Sequence, residues 1–150
     1  LNAGNVPFRT KVLNDPAAYV RADGGVLYVE RREFDKVRSA IAEVRDAIAP
    51  GLRPEVPMMT KRLADGVGLA EDPGGAVSFG QSRVHVVALG LWSCFVTGKT
   101  DLESRIGAVA TQFAAQGLDA ARPFLHAGGR DDYELGDRGR AGVAAGRRTR

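Results

Sequence analysis

Cysteine is almost missing from this 150-residue chain, where Cys94 stands alone. No intrachain disulfide can form and no cysteine-rich zinc site can be built, which fits a reducing cytoplasm. Histidine is nearly as scarce, with only His85 and His126. So few soft donors predict no metal site, and nothing in the chain asks for a cofactor. Long apolar runs are also lacking. The longest candidate, residues 84–96, is too short to cross a bilayer and carries His85. No charged-then-apolar stretch at the start reads as a signal peptide, so no membrane partner is expected. A basic face interleaved with aromatics is absent too, which speaks against nucleic acid. The chain begins at Leu1 rather than Met, as would a fragment or a chain whose true start lies upstream.

What is present is unevenly distributed. The net charge is +3. Residues 127–150 contribute +2 of it, from Arg130, Arg138, Arg140, Arg147, Arg148 and Arg150 against Asp131, Asp132, Glu134 and Asp137. That segment is rich in Gly, Ala and Arg, and Tyr133 and Leu135 are almost its only large apolar residues. It is predicted to be a disordered tail, because it has too little apolar surface to offset the entropy of ordering. Residues 1–126 are long enough for one domain with a real core.

Within that domain, residues 7–13 alternate as a strand does, with Arg9 and Lys11 on one face. Asn14-Asp15-Pro16 turns the chain, and residues 26–30 read as a second strand with Tyr28 opposite Leu27 and Val29. Phe34, Val37, Ile41, Val44 and Ile48 recur at helical spacing, and Pro50-Gly51 ends that helix. Residues 58–63 and 67–70 are expected as short strands. A helix over 79–96 carries Val84, Val87, Ala88, Leu91 and Phe95. Another over 101–116 is expected to turn Leu102, Ile106, Val109, Ala110 and Phe113 inward, and a short last helix is expected over 118–125. The fold class is therefore α+β: a small mixed or antiparallel sheet packed by three to four helices, with a disordered C-terminal tail.

Residues 57–88 stand out. They concentrate Lys61, Glu71, Asp72, Arg83 and a run of glycines that no periodicity explains. Asp72-Pro73-Gly74-Gly75 is a turn, and Ser78 is placed to cap the following helix. Free N–H groups at that helix start, with Arg83 in its first turns, would suit an anion. Ser78 reads as a cap before it reads as a nucleophile, and no Ser-His-Asp spacing supports more. His85 points well away from Arg83 on a helix.

The stretches NDPAAYVRADGGVLYVERREF, VPMMTKRLADGVGLAEDPG and SFGQSR resemble the HopA-type effector family. That family includes lyases of class V lanthipeptide and thioamitide biosynthesis. The resemblance runs over roughly residues 7–125 and rests on T-K-x-L-x-x-G-x-x-x-A-E-D-P-G and S-F-G-x-x-R. The family's usual S-F-G-x-H-R has Ser82 here in the histidine's place. Full members also carry a helical segment upstream that this sequence does not show.

The resemblance implies a phosphate β-elimination. A separate kinase-like protein phosphorylates Ser or Thr in a precursor peptide, and the lyase leaves dehydroalanine or dehydrobutyrine. That chemistry needs a neutral base for the Cα proton and a grip on a dianionic phosphate. Four residues in the matching motifs fit these needs: Lys61 or Lys11 as base, Arg21 and Arg83 as phosphate clamp. Arg9 is auxiliary, and Tyr28 donates to the phosphate or assists the leaving group. Glu71 and Asp72 either orient these cations or only shape the turn. Two other readings stay open: a non-catalytic phosphopeptide- or leader-peptide-binding module, and a type III effector-like protein.

Overall fold

The computed structural model describes residue 1 and residues 5–135. The described residues form two separate antiparallel hairpins and three α-helices, an α+β arrangement. The first hairpin pairs β1 (Phe8–Val12) with β2 (Gly25–Val29), setting Arg9 opposite Tyr28 and Lys11 opposite Val26. Its connection is closed by a short 3-10 turn, Pro16–Val20. Asp15 caps that turn by accepting the Ala17 N–H at 2.9 Å, and Pro16 presets its first φ. The Tyr19 hydroxyl donates to Leu13 O at 2.8 Å and shuts the loop.

Helix α1 (Phe34–Ile48) follows a 3-10 turn at Arg31–Glu33 and stops at Ala49–Gly51. The second hairpin pairs β3 (Lys61–Ala64) with β4 (Val67–Leu69), with an irregularity between Arg62 and Ala64. The turn at 72–75 then leads to α2. Gly74 and Gly75 take φ of +75° and +74°, and the Gly74 N–H donates to Asp72 Oδ1 at 3.0 Å. An L side chain at either glycine would be strained.

Helix α2 (Phe79–Val96) begins at a complete capping box: Gln81 N–H donates to Ser78 Oγ, and Ser78 N–H to Gln81 Oε1. Helix α3 (Leu102–Ala115) is capped by Asp101, which accepts the Ser104 N–H at 2.7 Å. The two helices run antiparallel, with Gly90 against Val109 and the Cys94 thiol donating to Ser104 O. A Cβ at Gly90 would fall 2.6 Å from the Val109 Cα and 2.8 Å from its backbone N. Gly90→Ala must therefore push the helices apart, and about 1–3 kcal/mol of destabilisation is expected in urea denaturation. Gly107→Ala, where nothing lies within 4 Å, should instead stabilise by about 0.5–1 kcal/mol. Equal effects at the two sites would refute this close packing.

The core cluster joins Phe34 of α1 to Phe124, Leu125 and Tyr133, with Leu63, Leu69 and Ala70 of the second hairpin against it. Phe34 meets Tyr133 edge-on, ring centroids 4.9 Å apart. The tail expected from residue 127 thus starts too early. Tyr133 is 5% exposed and belongs to the core, because Phe34 offers it an aromatic edge and two polar groups meet its hydroxyl. Residues 136–150 of that tail lie outside the described residues.

Two further expectations are corrected. Residues 118–125 form turns, not a helix. Three successive carbonyls there are taken by distant donors: Pro123 O and Leu125 O by Arg83, and Phe124 O by the Glu71 N–H. Pro123 adds no N–H of its own. The apolar series of α3 is also not wholly inward. Phe113 is buried, but Leu102 and Ile106 are exposed, as are Val84, Leu91 and Phe95 of α2. The buried line of α2 is Arg83, Val86, Gly90 and Cys94.

Candidate functional site

An open groove of about 1940 Å³ runs between the first hairpin, α1, the second hairpin with its flanking stretches, and residues 126–130 and 133. Lys11 comes to it from β1, Tyr28 from β2, Arg21 from the loop between them, and Arg31 from the turn before α1. Three of the six sequence candidates (Lys11, Arg21 and Tyr28) therefore share one concavity. Arg9, Lys61 and Arg83 are not among the residues that line it.

Each candidate has a distinct environment. Lys11 is exposed and Tyr28 half-buried. The Arg9 guanidinium lies over the Tyr28 ring, 5.2 Å from its centroid. Arg21 grips Asp23 with two hydrogen bonds of 2.7 Å. Those bonds hold the Asp23 carboxyl below its ordinary range, against the opposing effect of partial burial. The pair is solvent-exposed, so it contributes little and can be exchanged for a stronger anion.

Lys61 sits on β3 beside the core. Its ammonium pairs with Asp131, donates to Tyr133 O at 2.8 Å and lies 6.0 Å from the Phe124 ring centroid. A phosphate would have to displace Asp131 to reach it.

Arg83 is 2% exposed. Nε donates to Pro123 O at 2.6 Å, Nη2 to Leu125 O at 3.0 Å and Nη1 to Ser82 Oγ at 3.1 Å, while the Phe79 ring covers the guanidinium. Burial pulls its pKa down and the charge of Glu71 opposes that. Arg83 therefore binds main-chain carbonyls in the interior and does not line the groove.

The residue that sequence reasoning missed is Arg31. Nη1 contacts Glu71 and donates to the Tyr133 hydroxyl at 2.7 Å, and Nη2 donates to Asp132 at 2.6 Å and to Arg130 O at 3.0 Å. Glu71 is the centre of this network. Its Oε1 accepts the Tyr133 hydroxyl at 2.6 Å and its Oε2 the His126 N–H at 2.6 Å. Burial would raise the Glu71 carboxyl, but the Tyr133, His126 and Arg31 contacts outweigh it and hold the pKa below its ordinary value. Burial and the bond to Glu71 push the Tyr133 hydroxyl well above its own. The sequence offered no way to separate Arg31 from Arg32 beside it. Tyr133 did carry a signal, as one of two large apolar residues in its segment.

A family model described as the HopA1 effector protein family matches residues 1–125. The chain belongs to the HopA1 effector protein family. No curated protein matches it. The matched span covers both hairpins, all three helices and the 123–125 turn that Arg83 and Glu71 hold in place. No helix among the described residues is long and apolar enough to cross a membrane.

Proposed function

We propose that this HopA1-family chain eliminates phosphate from phosphoserine or phosphothreonine in a precursor peptide. A separate kinase-like protein supplies that substrate, in the cytoplasm. The observation that carries the reading is the groove, whose lining includes Lys11, Arg21, Tyr28 and Arg31 from four segments of chain. Its open shape suits a peptide, and its cations suit a dianion. Arg21 releases Asp23, and Arg31 Nη2 exchanges the exposed Asp132, to take the phosphate, while Arg31 Nη1 stays on Glu71 and Tyr133. Lys11 removes the Cα proton. The Cα–H electron pair forms the Cα=Cβ bond as the Cβ–O bond breaks, and the phosphate leaves with a proton from Tyr28. Lys61 and Arg83 support this site from behind: Arg83 fixes the 123–125 turn, and Lys61 holds Asp131 and Tyr133 O at the groove's end. Arg9 positions Tyr28 through its ring.

The test is mass spectrometry of a phosphorylated precursor peptide incubated with this protein. The product should be lighter by one phosphoric acid, without added metal or nucleotide. Lys11→Ala should lower turnover by ~10²–10⁴-fold while the peptide still binds. One observation favours a second reading, a non-catalytic phosphopeptide-binding module: Arg83 and Lys61 are engaged inside the protein, leaving fewer cations for chemistry. That reading expects saturable binding, no phosphate loss, and only weaker affinity in Lys11→Ala.

A further inference from the structure

Helix α2 has no charged residue after Arg83. Its buried side is narrow, and Val84, Ala88, Leu91 and Phe95 recur along a flank of it at four- and three-residue steps. Trp92 and Val96 widen this strip, and α3 adds Leu102 and Ile106. Phe95 is 74% exposed, Leu102 73% and Trp92 61%, and the Trp92 and Phe95 rings stack with centroids 5.4 Å apart.

Single exposed apolar residues are ordinary, but this many on two helices packed together, with Trp92 and Phe95 stacked, mark an interaction surface. At ~150–250 Å² for each aromatic side chain and less for each aliphatic one, the exposures leave on the order of 800 Å² of apolar surface. That is about what each partner brings to a standard-size interface of ~1,600 Å².

We infer that the α2–α3 face is a self-complementary dimer interface, its occupant a second copy of this chain. The area matches what a stable dimer needs. The patch holds no Lys, Arg, Asp or Glu, with the exposed His85 at its N-terminal end, so two copies can meet face to face without bringing carboxylates, guanidiniums or ammonium groups together. Its edge carries Lys99, Asp101, Glu103 and Arg105, all exposed, two of each sign. Neither copy therefore presents a single-sign rim to the other. The interface lies apart from the groove, whose lining includes only the first residues of α2. It stands whether or not the lyase reading holds.

Trp92 is the chain's one tryptophan, so its emission reports directly on this face. Sedimentation velocity and Trp92 fluorescence of the full chain, over a dilution series, test the inference. The expected result is a monomer–dimer equilibrium, with a blue shift of Trp92 emission that follows dimer formation. Phe95→Arg and Ile106→Glu, both at exposed positions, should each weaken dimerisation by ~30-fold or more, with far-ultraviolet circular dichroism unchanged. A chain that stays monomeric with solvent-exposed Trp92 would overturn the inference. So would a monomer whose Trp92 is already shielded, a dimer that both variants leave intact, or association that continues beyond the dimer.

Discussion

Arg83→Met is expected to destabilise the fold by about 3–5 kcal/mol, one of the largest single effects available in this chain. Methionine keeps the apolar stem against Phe79 but removes the donors to Pro123 O, Leu125 O and Ser82 Oγ. Two carbonyls beside the core then lose their partners, at roughly 1–3 kcal/mol each. For a chain of this size the melting temperature should drop by roughly 10 °C. Arg83→Lys keeps the charge but cannot reach both carbonyls from one planar fork, and should recover only part of the loss. Had Arg83 been a free phosphate grip, the melting temperature would barely move, and calorimetry separates the two outcomes directly.

Glu71→Ala comes next. It strips the acceptor from the Tyr133 hydroxyl and the His126 N–H and the counter-charge from Arg31 in a single step. Glu71 is nearly buried but Arg31 is 42% exposed, so the cost falls chiefly on the Tyr133 hydroxyl and the His126 N–H, at roughly 1–3 kcal/mol each. The same residue predicts a pH dependence. Its pKa is held below the ordinary value, so the stabilisation it gives is complete above about pH 4.3, the unfolded glutamate value, and is lost as pH falls through the lower folded value. Urea midpoints should therefore decline on acidification, and less steeply in Glu71→Gln. Asp23, Asp101 and Asp119 are lowered in the same direction and keep part of the slope in that variant. Tyr133 acts at the other end of the scale. Its raised pKa means stability falls as pH rises above about 10, where the unfolded tyrosine ionises first. An acid profile unchanged in Glu71→Gln would show that this carboxylate is not the hub.

How much of this was legible follows from where each determinant lies in the chain. The bounds of α2 could be read directly, because Ser78, Gln81 and Gly98 all sit within a few residues of the ends they set. The first hairpin was legible for the same reason, with its Asp15-Pro16 turn and the alternation around Lys11. The 118–125 segment was not. Its apolar residues resemble a helix, but its carbonyls are taken by Arg83 and Glu71, donors some forty to fifty residues earlier. Tyr133 is a similar case: its segment is polar throughout, and only the packing of Phe34 with Glu71 and Arg31 makes its burial favourable. For the candidate site, residue type was readable but direction was not. Lys11, Arg21, Lys61 and Arg83 were expected to share one pocket; Lys11 and Arg21 line the groove, and Lys61 and Arg83 do not. Arg83 sits in an equally suggestive motif yet turns inward, because its helix must bury one side and Phe79 and the 123–125 carbonyls lie there.

The most direct measurement is a titration of a phosphothreonine peptide and its unphosphorylated twin against the full chain, by calorimetry. Lys11→Ala and Arg21→Ala are measured alongside, since both residues are exposed and neither supports the core. The phosphorylated peptide should bind about 10–100-fold more tightly than its twin, as charge-assisted hydrogen bonds to a phosphate predict. That preference should collapse in the two variants while their melting temperatures stay put. Equal affinity for the two peptides, or a preference that survives both substitutions, would contradict a phosphate-gripping groove.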